Sequence, residues 1–289
     1  MKQSLFLGVL FSLLSAFCYS VLTALIKING ADISVPLLVF SQRAFCLAFL
    51  LPFMLFKYGK SSLNLWKFSE VKKNHLVRAI FSLSIGYCLF LAIKKIPYFD
   101  AVLLYNASPL FIPIIAFALL RKKINHRLWP LILAGFLGVA LTLNIDNALA
   151  SLGGLVALLA ALFSAGSIVM MRKISATDNS LKSLYYYFFI STIISGVIAA
   201  PELHIIPLSM LITLIEMSLL FFFVQYFLVL AATHASPELV SSMYYANIIF
   251  SLIFSMVLLN SQLTISVLSG MVLIVVCGIG VIFLQRKYF

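Results

Sequence analysis

The segment GVLFSLLSAFCYSVLTALIK, residues 8–27, contains a single charged residue, the lysine at its end. About 20 helical residues, each rising 1.5 Å, cross the roughly 30 Å hydrocarbon core of a bilayer. The apolar run of residues 5–26 is too long for the core of a secretory signal peptide, and bulky Phe17 precedes Cys18 where a cleavage site would have a small residue. We therefore expect this segment to remain as a membrane-spanning helix.

The whole chain has the composition of a membrane protein. Of its 289 residues, 63% are hydrophobic and 10% are charged, against about half and about one quarter in soluble proteins. The net charge of +12 lies in short gaps between apolar runs rather than on one soluble face. We therefore expect a lipid bilayer, and no nucleic acid, as partner. The four cysteines lie within apolar runs and are interpreted as core residues rather than disulfides.

Ten apolar runs are long enough to cross a bilayer, each bounded by charged residues, proline or glycine. They lie near residues 5–26, 36–56, 76–93, 97–120, 128–145, 150–171, 181–200, 210–231, 237–259 and 263–284. The sequence thus predicts an all-α membrane protein with ten transmembrane helices.

The distribution of basic residues predicts the orientation of these helices. With the N-terminus inside, the inner segments hold 16 of the 20 Lys and Arg residues. The outer segments hold only Lys27, Lys94 and Lys95. Arg78 and Lys182, at the inner ends of their runs, are counted as inner, so Arg43 alone lies deep within a span. Because cytoplasmic loops are enriched in Lys and Arg, we expect both termini in the cytoplasm.

The chain also contains an internal repeat. Residues 153–172, GGLVALLAALFSAGSIVMMR, align without a gap with residues 8–27, and both segments end in a basic residue. Further along, LYNASP at residues 104–109 aligns with MYYANI at residues 243–248. Five helices per repeat is an odd number, so the second half enters the membrane from the opposite side. We expect two inverted five-helix repeats, residues 1–146 and residues 147–289.

These features resemble the EamA-like branch of the drug/metabolite transporter superfamily. The resemblance rests on the two repeats, the basic residues Lys27 and Arg172 that close the first helix of each, and Arg43 within FSQRAFCLAFLLP. It also rests on AIKKIPYFDAVLLYNASPLFIPIIAFALLRKKI, although residues 121–123 replace the Gly-Glu-Arg that typically ends this stretch. The resemblance implies an inner-membrane protein that moves small metabolites, often amino acids or related compounds.

Arg43 is the first candidate functional residue, because it lies seven residues past Pro36 and thus about 10 Å into its helix. It could bind a substrate carboxylate or phosphate, or it could form a structural ion pair. Glu216 is the only carboxylate well inside a span, which makes it a candidate proton carrier or the partner of Arg43. Asp100 and Glu238 lie in predicted first turns, where an acid complements the helix dipole.

Polar and aromatic side chains recur at mid-depth on several predicted helices, where transporter sites lie. Each taken singly could instead serve helix packing or interhelical hydrogen bonding. The predicted substrate-binding set consists of Tyr19, Gln42, Arg43, Tyr105, Asn106, Tyr187, Gln225, Tyr244, Tyr245 and Asn247.

No phosphate-binding loop, dinucleotide motif, metal-ligand spacing or nucleophile motif is present, so we expect no catalytic residue, cofactor or metal. The predicted function is secondary active transport of a small polar metabolite, an amino acid or a related compound, by alternating access, in the direction of efflux or exchange. Uptake of a nucleoside-like metabolite such as S-adenosylmethionine is the alternative, and a membrane-embedded lipid enzyme is a weaker one. Proton coupling, and the choice between monomer and homodimer, stay open.

Overall fold

The structure is a computed structural model that describes residues 5–58, 72–121, 126–142, 148–175, 177–178, 180–203, 207–234, 240, 243, 245–261 and 264–285. All regular secondary structure in these residues is helical. The helices are α1 (Leu5–Asn29), α2 (Val35–Tyr58), α3 (Lys72–Lys95), α4 (Tyr98–Tyr105), α5 (Ser108–Leu120), α6 (Trp129–Thr142), α7 (Ala148–Ser175), α8 (Ser180–Ala199), α9 (Leu208–His234), α10 (Ala246–Leu259) and α11 (Ile265–Gln285), with 3-10 turns at His126–Leu128 and Ala200–Glu202.

Within the described residues, 8 helical stretches are long and apolar enough to cross a membrane. They coincide with eight of the ten predicted runs. Two shorter apolar helices, His126–Thr142 and Ala246–Leu259, fall on the other two. The prediction of an all-helical membrane protein is confirmed, whereas the number of ten spans stays a prediction.

The fourth predicted run forms two helices rather than one. A break at residues 106–107 separates α4 from α5. Pro109 follows at the start of α5, where it lacks the N–H that would continue the hydrogen-bond ladder and crowds the preceding turn. The last turn of α4 tightens instead, since the Ala107 backbone N–H donates to the Leu104 carbonyl at 3.1 Å. Asn106 is therefore the residue that directly follows the end of α4.

Two helices end on residues in the left-handed conformation. Arg121 closes α5 with φ 53°, and Asn260 closes α10 with φ 48°. These are the non-glycine residues of positive φ in the described part of the chain. They are 139 positions apart, the difference between 121 and 260, which is also the offset between LYNASP and MYYANI.

The closest helix packing joins the first part of the chain to the second. Helix α3 packs on α7, α1 on α9, α6 on α11 and α2 on α8. Small residues allow some of these approaches: a Cβ on Gly138 of α6 would lie 2.9 Å from the backbone oxygen of Gly270 on α11. The main core cluster therefore runs between the two parts, and the buried polar side chains lie there as well.

Candidate substrate site

Arg43 is buried where four helices meet. Its side chain on α2 is 2% exposed, and its guanidinium carbon lies 4.3 Å from the ring centre of Phe221 on α9 and 5.5 Å from that of Tyr187 on α8. Gly86 of α3 packs beside it, since a Cβ there would lie 3.5 Å from an Arg43 Nη atom. The Nε and Nη1 atoms of Arg43 have no hydrogen-bond partner in the structure. Aromatic faces thus hold the cation, and two of its nitrogens are unpaired.

The structure does not bring Glu216 to Arg43. Glu216 lies on the exposed side of α9, whereas Leu214, Met217 and Phe221 point into the bundle. A helix turns 100° per residue, so a residue directly before a buried one can face away from the core. The ion pair considered from the sequence is therefore not formed, and the proton-carrier role of Glu216 stays a prediction.

Arg78 is a site residue that the sequence analysis missed, because it was counted among the basic residues of the inner side. The structure places it on α3 with 8% exposure, its guanidinium carbon 5.1 Å from the ring centre of Tyr187. Its Nη1 atom donates a hydrogen bond to the Ser183 hydroxyl, and its Nε atom has no partner. A signal was present in the sequence, since Arg78, Ser82 and Gly86 recur at the four-residue spacing of one helix face.

One predicted tyrosine, Tyr187, contacts this cationic centre, and two others contact each other. Tyr187 accepts a hydrogen bond from the Ser82 hydroxyl at 2.9 Å. Tyr19 and Tyr105 contact each other with ring centres 5.9 Å apart, and the Tyr105 hydroxyl has Ser164 and Tyr19 as hydrogen-bond partners. The structure therefore places Tyr187 against the two arginines and pairs Tyr19 with Tyr105.

Gln42 is the second unsatisfied polar residue on α2. It is fully buried, and neither the oxygen nor the nitrogen of its side-chain amide has a hydrogen-bond partner in the structure. Buried polar atoms in native proteins are nearly always paired, so those left unpaired call for a functional explanation. Gln42 and Arg43 together present unpaired donors and one acceptor on adjacent residues.

Asn247 belongs to a separate buried polar cluster. Its side-chain oxygen accepts hydrogen bonds from Ser20 and Ser251, and the Tyr98 hydroxyl donates to the Ser20 carbonyl at 3.0 Å and contacts Ser251 at 3.1 Å. Thr23 lies 3.2 Å from the same hydroxyl. Sequence reasoning missed Ser20, Tyr98 and Ser251 because serine is common in membrane helices and Tyr98 falls at a helix start. This cluster ties α1 and α4 to α10.

The remaining residues that the sequence singled out make other contacts or lie outside the described residues. The Asn106 amide donates to the Val102 carbonyl at 2.7 Å and so serves the break after α4. Tyr245 is buried against Gly278, and its hydroxyl is unpaired. Gln225 is half-buried on α9, and Asp100 lies in the first turn of α4 as predicted. Tyr244 and Glu238 lie outside the described residues.

Membrane-length apolar helices around a buried cationic and aromatic centre define a multi-pass membrane protein. The sequence profile of the EamA-like transporter family matches residues 6–144 and 151–284. The chain therefore belongs to the EamA-like transporter family, within the drug/metabolite transporter superfamily, and is a transporter rather than an enzyme.

Named relatives are transporters as well. The pseudopaline exporters of two Pseudomonas aeruginosa strains are 27% identical over 250 residues, covering 84% of this chain and 84% of theirs. The riboflavin transporter of Vibrio cholerae is 25% identical over 199 residues, covering 68% of this chain and 65% of its own. A solved crystal structure matches with a TM-score of 0.62 at 13% identity, covering 100% of both chains, which supports the fold alone.

Proposed function

We propose that this protein is a secondary active transporter of the inner membrane, with ten spans in two inverted halves and both termini in the cytoplasm. The proposal is supported by the excess of basic residues on one side and by a family profile that matches two successive segments. The left-handed ends of α5 and α10, at the offset of the sequence repeat, also support it.

Helix packing supports the same symmetry. If α4 and α5 together form the fourth span, an inverted repeat exchanges spans one to five with spans six to ten. The contact of α1 with α9 then corresponds to that of α3 with α7. Likewise, the contact of α4 and α5 with α7 corresponds to that of α10 with α1. Two halves related in this way can open a shared site to either face by rocking.

The transported compound that fits this site is a small polar metabolite with an acidic group. The observation that carries this proposal is the buried Arg43 guanidinium with unpaired Nε and Nη1 atoms. A buried charge costs several kcal/mol unless an opposite charge accompanies it. A substrate carboxylate would accept two parallel hydrogen bonds from the guanidinium fork and offset that cost.

The direction that we propose is efflux or exchange, in line with the exporters among the relatives. Uptake of a compound with an aromatic ring is the second candidate. It is favoured by the tyrosine rings of Tyr19, Tyr105 and Tyr187 and by the relative that is named a riboflavin transporter.

Flux into proteoliposomes tests the proposal. Purified protein would be reconstituted into vesicles preloaded with a panel of amino acids, organic acids and nucleosides, and exchange of each labelled compound would be measured. We expect saturable flux of compounds that bear a carboxylate, above that of protein-free vesicles. Flux confined to uncharged or cationic compounds would refute the role of Arg43, and the absence of flux for the whole panel would refute transport of this class of compound.

A further inference from the structure

Two arginines share one aromatic ring at the centre of the candidate site. The guanidinium carbon of Arg43 lies 5.5 Å from the ring centre of Tyr187, and that of Arg78 lies 5.1 Å from it. The two carbons are therefore at most about 11 Å apart, the sum of these distances. Each arginine keeps at least one nitrogen without a hydrogen-bond partner.

No carboxylate of the described residues neutralises this pair of cations. The described ion pairs join Asp178 to His75 and to Lys182. Neither Arg43 nor Arg78 has an ion-pair partner among the carboxylates in the described part of the chain, which are Asp32, Asp100, Asp178, Glu202 and Glu216. Two buried positive charges at this separation repel each other and strongly favour a bound anion.

The two guanidinium groups reach the Tyr187 ring from different helices. Helices α3 and α8 face each other at a constant offset of 105 residues, because Arg78 donates to Ser183 and Ser82 donates to Tyr187. Arg78 therefore reaches the ring from α3, whereas Arg43 reaches it from α2 and lies beside Gly86 of α3.

One carboxylate carries a single negative charge and therefore neutralises only one of the two buried guanidinium groups. Building on the proposed transport function, we propose that Arg78 is a second anion-binding residue of the site. The transported compound then carries two acidic groups, one bound by Arg43 and the other by Arg78, with its middle part against the face of Tyr187.

Binding of matched diacids and half-amides tests this proposal directly. The probes are the unbranched diacids from succinate to suberate, each paired with the half-amide in which one carboxylate is neutral but similar in shape. Their dissociation constants would be measured on detergent-purified full-length protein by thermal shift titration. For the best-fitting length, we expect wild type to bind the diacid at least about ten-fold more tightly than its half-amide.

Two variants assign this preference to Arg78. In Arg78→Gln, we expect the diacid preference to fall below about two-fold while the half-amide keeps its affinity within about three-fold. Arg78→Lys keeps the charge without the planar fork, so an intermediate preference is expected. Equal binding of diacid and half-amide by wild type, or an unchanged preference in Arg78→Gln, would overturn the proposal. If Arg78→Gln fails to fold, the wild-type ratio and Arg78→Lys still decide.

The flux assay separates this proposal from the transport function beneath it. If the vesicles exchange only compounds with one acidic group, transport stands and the second anion site is refuted. If no compound is exchanged but the diacid preference exists and depends on Arg78, the anion site stands and the transport proposal fails.

Discussion

Replacing Arg43 by methionine should make the protein more stable and inactive. Methionine is close in length to the aliphatic part of arginine and would pack between the rings of Tyr187 and Phe221 without bringing a charge into the core. A residue retained for binding, rather than for structure, is expected to behave in this way, because functional sites commonly lower stability.

The magnitude follows from the contacts of the guanidinium. Its Nε and Nη1 atoms are buried and unpaired, and each such group costs about 1–3 kcal/mol. The two cation–π contacts, at 4.3 and 5.5 Å, offset about 0.5–2 kcal/mol each. The central values leave a gain of about 1–2 kcal/mol on substitution. For a chain of this size that corresponds to a rise in melting temperature of about 2–3 °C.

Thermal unfolding of ligand-free protein in detergent, followed by tryptophan fluorescence or by aggregation, measures this shift. Glu216→Gln is the matched control, because Glu216 lies on the exposed side of α9 and contributes no partner to Arg43. The effects of the two substitutions should add within about 0.5 kcal/mol in the double variant. A clearly lower melting temperature for Arg43→Met, or a strong coupling to Glu216, would show that Arg43 is a structural residue.

Three further predictions concern the rest of the core. Tyr98→Phe removes the hydroxyl that donates at 3.0 Å to a buried carbonyl and should lower the free energy of unfolding by about 1–2 kcal/mol. Tyr87→Phe removes a buried unpaired hydroxyl and should not lower it. Equal losses of stability for the two variants in a thermal shift assay would contradict this. Gly138→Ala brings a Cβ to 2.9 Å from a backbone oxygen of α11 and should lower the free energy of unfolding by about 1–3 kcal/mol. Gly196→Ala, whose neighbour is a phenylalanine ring, should lower it clearly less. The reverse order would contradict the close contact of α6 and α11. Glu216→Gln tests the proton-carrier prediction, which requires pH-driven flux in vesicles to lose its pH dependence in this variant; unchanged pH-driven flux would refute it.

The helices could be predicted from the sequence because the bilayer imposes both length and composition on each span. Arg43 was found for a related reason, since a charge within an apolar run is rare and costly. Tyr19, Tyr105 and Tyr187 were predicted as polar groups at mid-depth, and the structure places Tyr187 against Arg43 and Tyr19 against Tyr105. In each case the sequence of a single helix is enough for the prediction.

The rest of the site depends on contacts between helices, which the sequence does not express. Arg78 was assigned to the inner basic surface because any cation near a span end satisfies the charge rule, and its burial results from the packing of α3 against α8. The direction of Glu216 depends on the rotation of α9 about its axis, which an evenly apolar helix does not reveal. The break before Pro109 required knowing that the helix ends there rather than bends.

Arg43 is the residue that we propose binds an acidic group of the transported compound. The most direct test compares initial rates of vesicle flux for one transported acid and its amide, in wild type and in Arg43→Gln. We expect wild type to prefer the acid in kcat/KM by at least about ten-fold and Arg43→Gln to show no preference, because removing the guanidinium or the carboxylate abolishes the same interaction. An acid preference of the same size in both proteins would contradict it.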